Sequence, residues 1–297
     1  SPTIPAKYYY SKAEEEKVQA NTKAVNFHLA SVNWRKISYT SLAATHAYTP
    51  KDNSNHPEGA YDYFVFKQLV KGNKTGNLLH DIFENIDFTD SQYWSYPVQN
   101  ALKKFAPTHQ HDYAIMLMQL LQQVVHTKIE VAGQVLTLSD ISTEKRLNEL
   151  EFDFNVPVFN PAHLAEVEDE NTRINIKFNY QLEGIMNGKM DMFFENKGKY
   201  YILDWKSNFL GDSLKYYKKE LLADVMSENN YHLQYLLYTV AAKKYLESRL
   251  NDFDYEKHFG GVIYLFVRGV RKESDAGIFT CRPPMEKIIA MEKMLSY

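Results

Sequence analysis

A pair of short apolar runs around position 200 limits the possible folds of this chain more than any other feature. Gly188-Lys189-Met190-Asp191-Met192-Phe193-Phe194 and Tyr200-Tyr201-Ile202-Leu203-Asp204-Trp205-Lys206 flank Lys197-Gly198, the signature of a β-hairpin with a tight turn. If Lys197-Gly198 is a two-residue turn, Asp191 and Asp204 fall directly opposite each other, Cβ atoms about 5 Å apart on one face. Lys206 lies two residues beyond Asp204 and projects from that face too. Like charges opposed across a ladder destabilise it, and the neighbouring apolar residues keep water away. A divalent cation between the two carboxylates turns this repulsion into coordination, and magnesium suits such oxygen donors. An Asp on one strand, with Asp-x-Lys ending the next, is a pattern of metal-dependent phosphodiester cleavage. The metal activates a water and neutralises the phosphate, and the lysine steadies developing charge. The competing reading is a surface hairpin with solvated Asp204 and Lys206, and a register slip of one residue would part the aspartates.

Composition narrows the classes further. With 297 residues, 44% of them hydrophobic, the chain can bury one large core or a domain with an appendage. No run approaches the roughly 20 apolar residues of a membrane span, and Ser1 to Pro5 carry no secretory signal. A chain opening on Ser1 reads as a piece of something longer. The single cysteine, Cys281, excludes intramolecular disulfides, four-cysteine zinc sites and cysteine-held iron–sulfur clusters, and points to a reducing, cytoplasmic setting. A net charge of −3 is not that of a protein gripping DNA by bulk electrostatics, so DNA contacts must be local or a partner must hold the substrate. No Gly-x-x-x-x-Gly-Lys-Ser/Thr loop is present, so no ATP motor of that type lies in the sequence.

Along the chain, residues 1–32 read as a polar, helix-forming lead and tether, and 52–59 as a loop. Leu79, Ile82, Phe83 and Ile86 predict a helix from Thr75, which could serve as its N-cap. Further helices are expected over Tyr93–Phe105 and His111–Val125. Near residue 146 the pattern turns to strands: Glu149–Phe154, Ile174–Phe178 and the hairpin. Helices over Asp212–Val225 and Tyr231–Leu250, a buried strand Gly261–Val267 and a closing helix Pro284–Leu295 follow. The expected class is α/β, a short mixed sheet flanked by helices with helical N-terminal additions.

Several blocks resemble the C-terminal nuclease domain of the RecB family, the β subunits of exodeoxyribonuclease V. They are Gly188 to Asp191, Lys199 to Asn208 with Leu210-Gly211, Tyr231 to Thr239, His258 to Val270, Gly76 to Glu84 and Gly277 to Pro283. Trp34-Arg35 to Leu42 also looks similar, so the likeness runs from about residue 33 to the end. It implies a restriction-endonuclease-like (PD-(D/E)XK) fold, with a nuclease domain over 33–297, a helical part at about 70–130 and a catalytic core at about 146–297. It further implies magnesium as the working ion (calcium can occupy such a site without supporting cleavage), DNA as substrate, and RecC-like, RecD-like and RecA partners in a bacterial cytoplasm.

The resemblance also assigns roles. Asp191, Asp204, His80 and the backbone carbonyl of Trp205 would hold the metal, and Lys206 would be the catalytic lysine. Trp205 stands where Tyr is expected, which a backbone role tolerates. Glu151 matches the family's further acidic position, with Glu149 its competitor because both project from one strand face. Gln234 and Tyr238, at i and i+4, match a Gln-x-x-x-Tyr motif facing the cleft and DNA backbone. Taken singly, His80 reads as a satisfied helix histidine, Tyr238 as core, Gln234 as a surface amide and Glu151 as an exposed strand residue. The other nine histidines show no metal-ligand spacing. The alternative function is a catalytically silent scaffold with the same fold, and a third is another Asp/Glu-x-Lys enzyme such as a restriction-type endonuclease.

Overall fold

The computed structural model describes residues 34–44, 48–50, 59–177 and 179–295. The polar lead over 1–32, nearly all of the loop over 52–59, and Phe178 lie outside the described residues. From Arg35 onward the chain forms one compact unit.

Its centre is a six-stranded mixed sheet. Two long strands, β4 (Arg146–Phe159) and β5 (Leu182–Asn196), run antiparallel over most of their length. The short β1 (Trp34–Ile37) and β6 (Lys199–Lys206) also neighbour β5. A parallel partner for β6 follows in β7 (Phe259–Phe266), and β8 (Ile278–Cys281) closes the edge antiparallel to it. Every residue of β7 is buried, as its unbroken apolar run requires of a strand covered on both faces. A separate hairpin, β2 (Ile129–Val131) with β3 (Gln134–Leu136), lies outside this sheet.

Helices cover both faces. Among the described residues they are α1 (Tyr39–Leu42), α2 (Gly59–Tyr63, running into a π-turn over Phe64–Gln68), α3 (Asn73–Asn85), α4 (Ser95–Phe105), α5 (Gln110–Val125), α6 (Lys219–Glu228), α7 (Tyr231–Arg249), α8 (Tyr255–His258) and α9 (Met285–Met294). None of them is long and apolar enough to cross a membrane. The α7 helix is buried nearly all round, so it runs through the interior and not over the surface. On the other side Phe83 of α3 stacks on Trp205 of β6 at 4.0 Å, fixing α3 against the end of the β5–β6 hairpin. Burial of the Phe83 ring stabilises by about 1.5–3 kcal/mol.

One buried cation ties these parts together. Arg268 is fully buried and donates to the carbonyls of Ser207, Val65, Leu69 and Val70, at 2.6–2.9 Å. It thereby joins the chain just after β6 to the segment leading into α3. Carbonyl oxygens on several sides replace the hydration a guanidinium loses on burial.

The expected helices and hairpin are present with small shifts, and four expectations need correction. Thr75 does not cap α3: Gly72 precedes the helix, and the buried Thr75 hydroxyl donates to the Val70 carbonyl inside the first turn. Ile174 to Phe178 forms no strand among its described residues, only a bridge from Ile176 to Ala43. Instead of entering a helix, Asp212 is buried and ion-paired with Lys67 at 3.1 Å, and α6 begins at Lys219 after a 3-10 turn over Leu214–Tyr217. Strands β1, β2, β3 and β8 were not anticipated; at three or four residues each they are too short for alternation to register.

Candidate metal centre

The hairpin register is the one a Lys197-Gly198 turn fixes. Both turn residues have positive φ, 51° and 78°, as a type I′ turn needs, and the Gly198 N–H donates to the Glu195 carboxylate at 2.7 Å. Pairing runs from Asn196–Lys199 to Met192–Leu203 and stops one residue short of Asp191 and Asp204. At that point a side chain replaces the ladder: the Trp205 N–H donates to Asp191 Oδ2 at 2.8 Å. Burial, reinforced by the Asp204 charge, pushes the Asp191 carboxyl well above its ordinary range. An ionised Asp191 in so desolvated a pocket calls for positive charge close by.

Lys206 supplies one such charge. Its ammonium forms an ion pair with the nearly inaccessible Asp204 carboxylate and donates to Gln234 Oε1 at 3.1 Å. It also lies 4.1 Å from the ring centre of Tyr231 and 5.1 Å from that of Tyr264. Burial alone would lower its pKa, but Asp204 leads the neighbours that raise it, so the side chain stays cationic. Gln234 is held from three directions, accepting from Lys206 and from the Tyr264 hydroxyl at 3.0 Å while donating to the Tyr238 hydroxyl at 3.1 Å. Burial raises both tyrosines above their ordinary pKa, so they remain protonated donors.

From the opposite face α3 delivers His80, whose Nδ1 is 3.5 Å from Asp191 Oδ1. Gly76, one turn earlier, allows the close approach, since a Cβ there would sit 3.3 Å from Ser207 Oγ. Burial lowers the His80 pKa, outweighing the Asp204 charge and a hydrogen bond to the Trp205 backbone. The neutral imidazole is the form that ligates metals. That hydrogen bond also locates the Trp205 carbonyl beside His80.

The third acid of the cluster is Glu149. It sits in β4 with φ 54°, where pairing with β5 passes from Asn148–Met192 to Leu150–Met190 and skips it. Left-handed backbone at a non-glycine residue is uncommon and concentrates at functional positions. Ligand atoms of His80, Glu149 and Asp191 all lie within 4.8 Å of one another, a spacing able to hold a metal ion. Asp204 is not one of these three; Lys206 engages it. Glu151 lies elsewhere, lining a second cavity with Gln234 and Tyr238. Simple alternation puts Glu149 and Glu151 on one face, and the kink at Glu149 separates them. Three contributors were given no role of their own in the sequence, although each lies in a block that carries the resemblance: Lys189, ion-paired with Glu149, and Tyr231 and Tyr264, whose rings flank the Lys206 ammonium.

No protein-family model matches the chain. Its sequence is similar to curated RecB subunits of RecBCD enzymes. It is 33% identical to that of Escherichia coli over 240 residues, covering 77% of this chain and 20% of the relative. It is 31% identical to that of Haemophilus influenzae over 292 residues, 88% of this chain and 23% of the relative. With the Mycobacterium tuberculosis subunit it shares 28% over 262 residues, 76% of this chain and 24% of the relative. The chain thus spans about a fifth of the relatives' length. Likeness of this extent to several RecB subunits places the chain in the RecB family, as a homologue of one region of that subunit.

Proposed function

We propose that this chain is the nuclease part of a RecBCD-type helicase–nuclease, built on a restriction-endonuclease-like (PD-(D/E)XK) fold, and that its centre hydrolyses DNA phosphodiesters using magnesium. The observation that carries the reading is the meeting of two groups at one hairpin end: the triad His80, Glu149 and Asp191, and the network Asp204–Lys206–Gln234. A solvated surface hairpin would bury neither Asp204 nor Lys206. The mixed sheet with helices on both faces accommodates the proposed fold.

The donors fit a hard divalent ion: carboxylate oxygens with one neutral imidazole, around a carboxyl that burial leaves short of positive charge. His80, Glu149 and Asp191 would hold it, with Asp204 and the Trp205 carbonyl completing the shell. A bound ion of this kind supplies an activated water and neutralises the phosphate. The chain's own residues do the rest. Trp205 N–H fixes one Asp191 oxygen and leaves the other turned to His80. Lys206, kept cationic by Asp204 and aimed by Gln234, stabilises charge developing on the phosphate. Calcium can occupy the centre without supporting turnover.

The acidic net charge assigns the main DNA grip to other parts of the assembly: the motor and subunits of the RecC and RecD kind. Double-strand break repair and degradation of linear DNA are the corresponding role. Calcium titration by calorimetry tests the ligand set. Glu149→Gln should weaken binding at least tenfold and Glu151→Gln should not; the reverse ranking would return the acidic role to Glu151.

A further inference from the structure

The Lys189 ammonium forms an ion pair with Oε2 of Glu149, the third acid of the metal centre. Lys189 stands two residues before Asp191 on β5 and so projects from the same face of the strand. Directly across the ladder it is paired with Glu151, and Glu149 is only its diagonal neighbour. The ion pair nevertheless runs along the diagonal, because the left-handed φ of 54° at Glu149 breaks the pairing there and upsets simple alternation. Glu151 has no ion-pair partner among the described residues, and Glu149 has none besides Lys189. Lys189 also lines the cavity of the metal centre, of about 460 Å³, together with His80, Glu149 and Asp191. About half of its side chain is exposed, so it can change partners without disturbing the core.

One carboxylate, then, belongs both to this ion pair and to the triad whose ligand atoms lie within 4.8 Å of one another. A carboxylate can touch an ammonium and a divalent ion at once, but at such a separation the two cations repel, and the doubly charged one is the stronger partner. The two lysines of the centre are not equally free to yield. Lys206 is nearly inaccessible and held by Asp204 and Gln234, whereas Lys189 is half exposed and held by Glu149 alone. A lysine carries a point charge on a flexible stem, so it releases a carboxylate more readily than the fork of an arginine does. Once released, it has Glu151 directly across the ladder as an acceptor.

We infer that Lys189 is a displaceable counter-ion of the metal centre, which competes with the divalent ion for Glu149 and thereby sets the metal concentration at which the centre fills. The inference rests on the proposed metal centre and deepens it, by naming a residue that governs metal affinity without being a ligand. Its sign is opposite to that of a ligand: losing Lys189 tightens metal binding, whereas losing Glu149 weakens it.

The test is calcium titration of the whole chain by calorimetry, comparing wild type with Lys189→Met and Lys189→Arg at low and at high salt. Under water-like screening, a unit charge a few ångströms from a divalent ion changes affinity roughly tenfold, so Lys189→Met should bind calcium about five- to tenfold more tightly than wild type. Lys189→Arg keeps the charge and should bind no more tightly than wild type. Salt screens the ammonium, so the advantage of Lys189→Met should shrink to about twofold or less in about 0.5 M potassium chloride. The side chain is half exposed, so both variants should fold, which circular dichroism checks. Calcium affinity of Lys189→Met equal to wild type would overturn the inference. Weaker binding would overturn it too, by making Lys189 a prop for the Glu149 carboxylate, as would tighter binding by Lys189→Arg. Calcium binding without any cleavage in magnesium would count against the nuclease reading alone, and the comparison of variants would still decide Lys189. No calcium binding by wild type or by Lys189→Met would overturn both the metal centre and this inference.

Discussion

The Trp205 N–H donates to Asp191 Oδ2 at 2.8 Å, one residue beyond the last backbone pair of the β5–β6 hairpin. Because one carboxylate oxygen is fixed by the neighbouring strand, the other faces His80. Asp191→Asn can keep the first contact and lose the second as an anionic ligand. It also removes a charge that burial and Asp204 disfavour. We expect calcium affinity to fall more than tenfold while thermal stability in EDTA rises by a few degrees. Calorimetric titration and a melting curve check both, and a lowered melting temperature would contradict the argument from repulsion.

Gln234 accepts from Lys206 and from Tyr264 through one oxygen. Gln234→Leu leaves a buried ammonium and a buried hydroxyl short of an acceptor, costing about 1–3 kcal/mol for each unsatisfied group. Turnover should drop roughly ten- to a hundredfold with metal affinity nearly unchanged, because the lysine is misplaced and the ligands are not. Single-turnover cleavage and calcium titration separate the two; equal losses would mean that Gln234 acts on the ligands.

Arg268 bonds four carbonyls from two distant segments. Arg268→Met keeps much of the volume and strands those carbonyls, so stability should fall by about 3 kcal/mol or more. Urea denaturation measures it. Since the anchored segment leads into α3, metal affinity should weaken too, through displacement of His80. A variant as stable as wild type would show that water replaces the guanidinium freely.

His232 is buried, its ring between the Ser227 and Tyr235 hydroxyls, and burial lowers its pKa to about 4. Between the unfolded value near 6.5 and about 4, the unfolded chain binds a proton that the native chain does not. Stability from this group is complete above pH 6.5 and is lost as pH falls towards 4, about 3 kcal/mol in all. Urea midpoints at pH 7, 6 and 5 should decline less steeply for His232→Gln than for wild type. Parallel declines would assign the acid sensitivity elsewhere.

The sequence exposed those parts of the candidate site whose logic is local. Asp191, Asp204 and Lys206 follow from turn chemistry and a period of two, and the observed register is the one the Lys197-Gly198 turn implies. His80 needed the resemblance, because on its helix it reads as any interfacial histidine. What escaped depends on tertiary placement. The φ of 54° at Glu149, which divides it from Glu151, has no glycine to announce it. Tyr264 sits inside an apolar run, where nothing distinguishes a hydrogen-bonding tyrosine from a packing one. The four short strands β1, β2, β3 and β8 are fixed by their neighbours, and Asp212 by an ion pair with Lys67, far away in sequence.

The most direct test of the central claim is cleavage of linear single-stranded DNA by the purified chain, in magnesium and in EDTA, with Asp204→Ala and Lys206→Gln alongside. The account predicts cleavage by wild type in magnesium only, none by Asp204→Ala, and a reduced rate with retained metal binding for Lys206→Gln. Cleavage by Asp204→Ala at the wild-type rate, or cleavage that persists in EDTA, would contradict it.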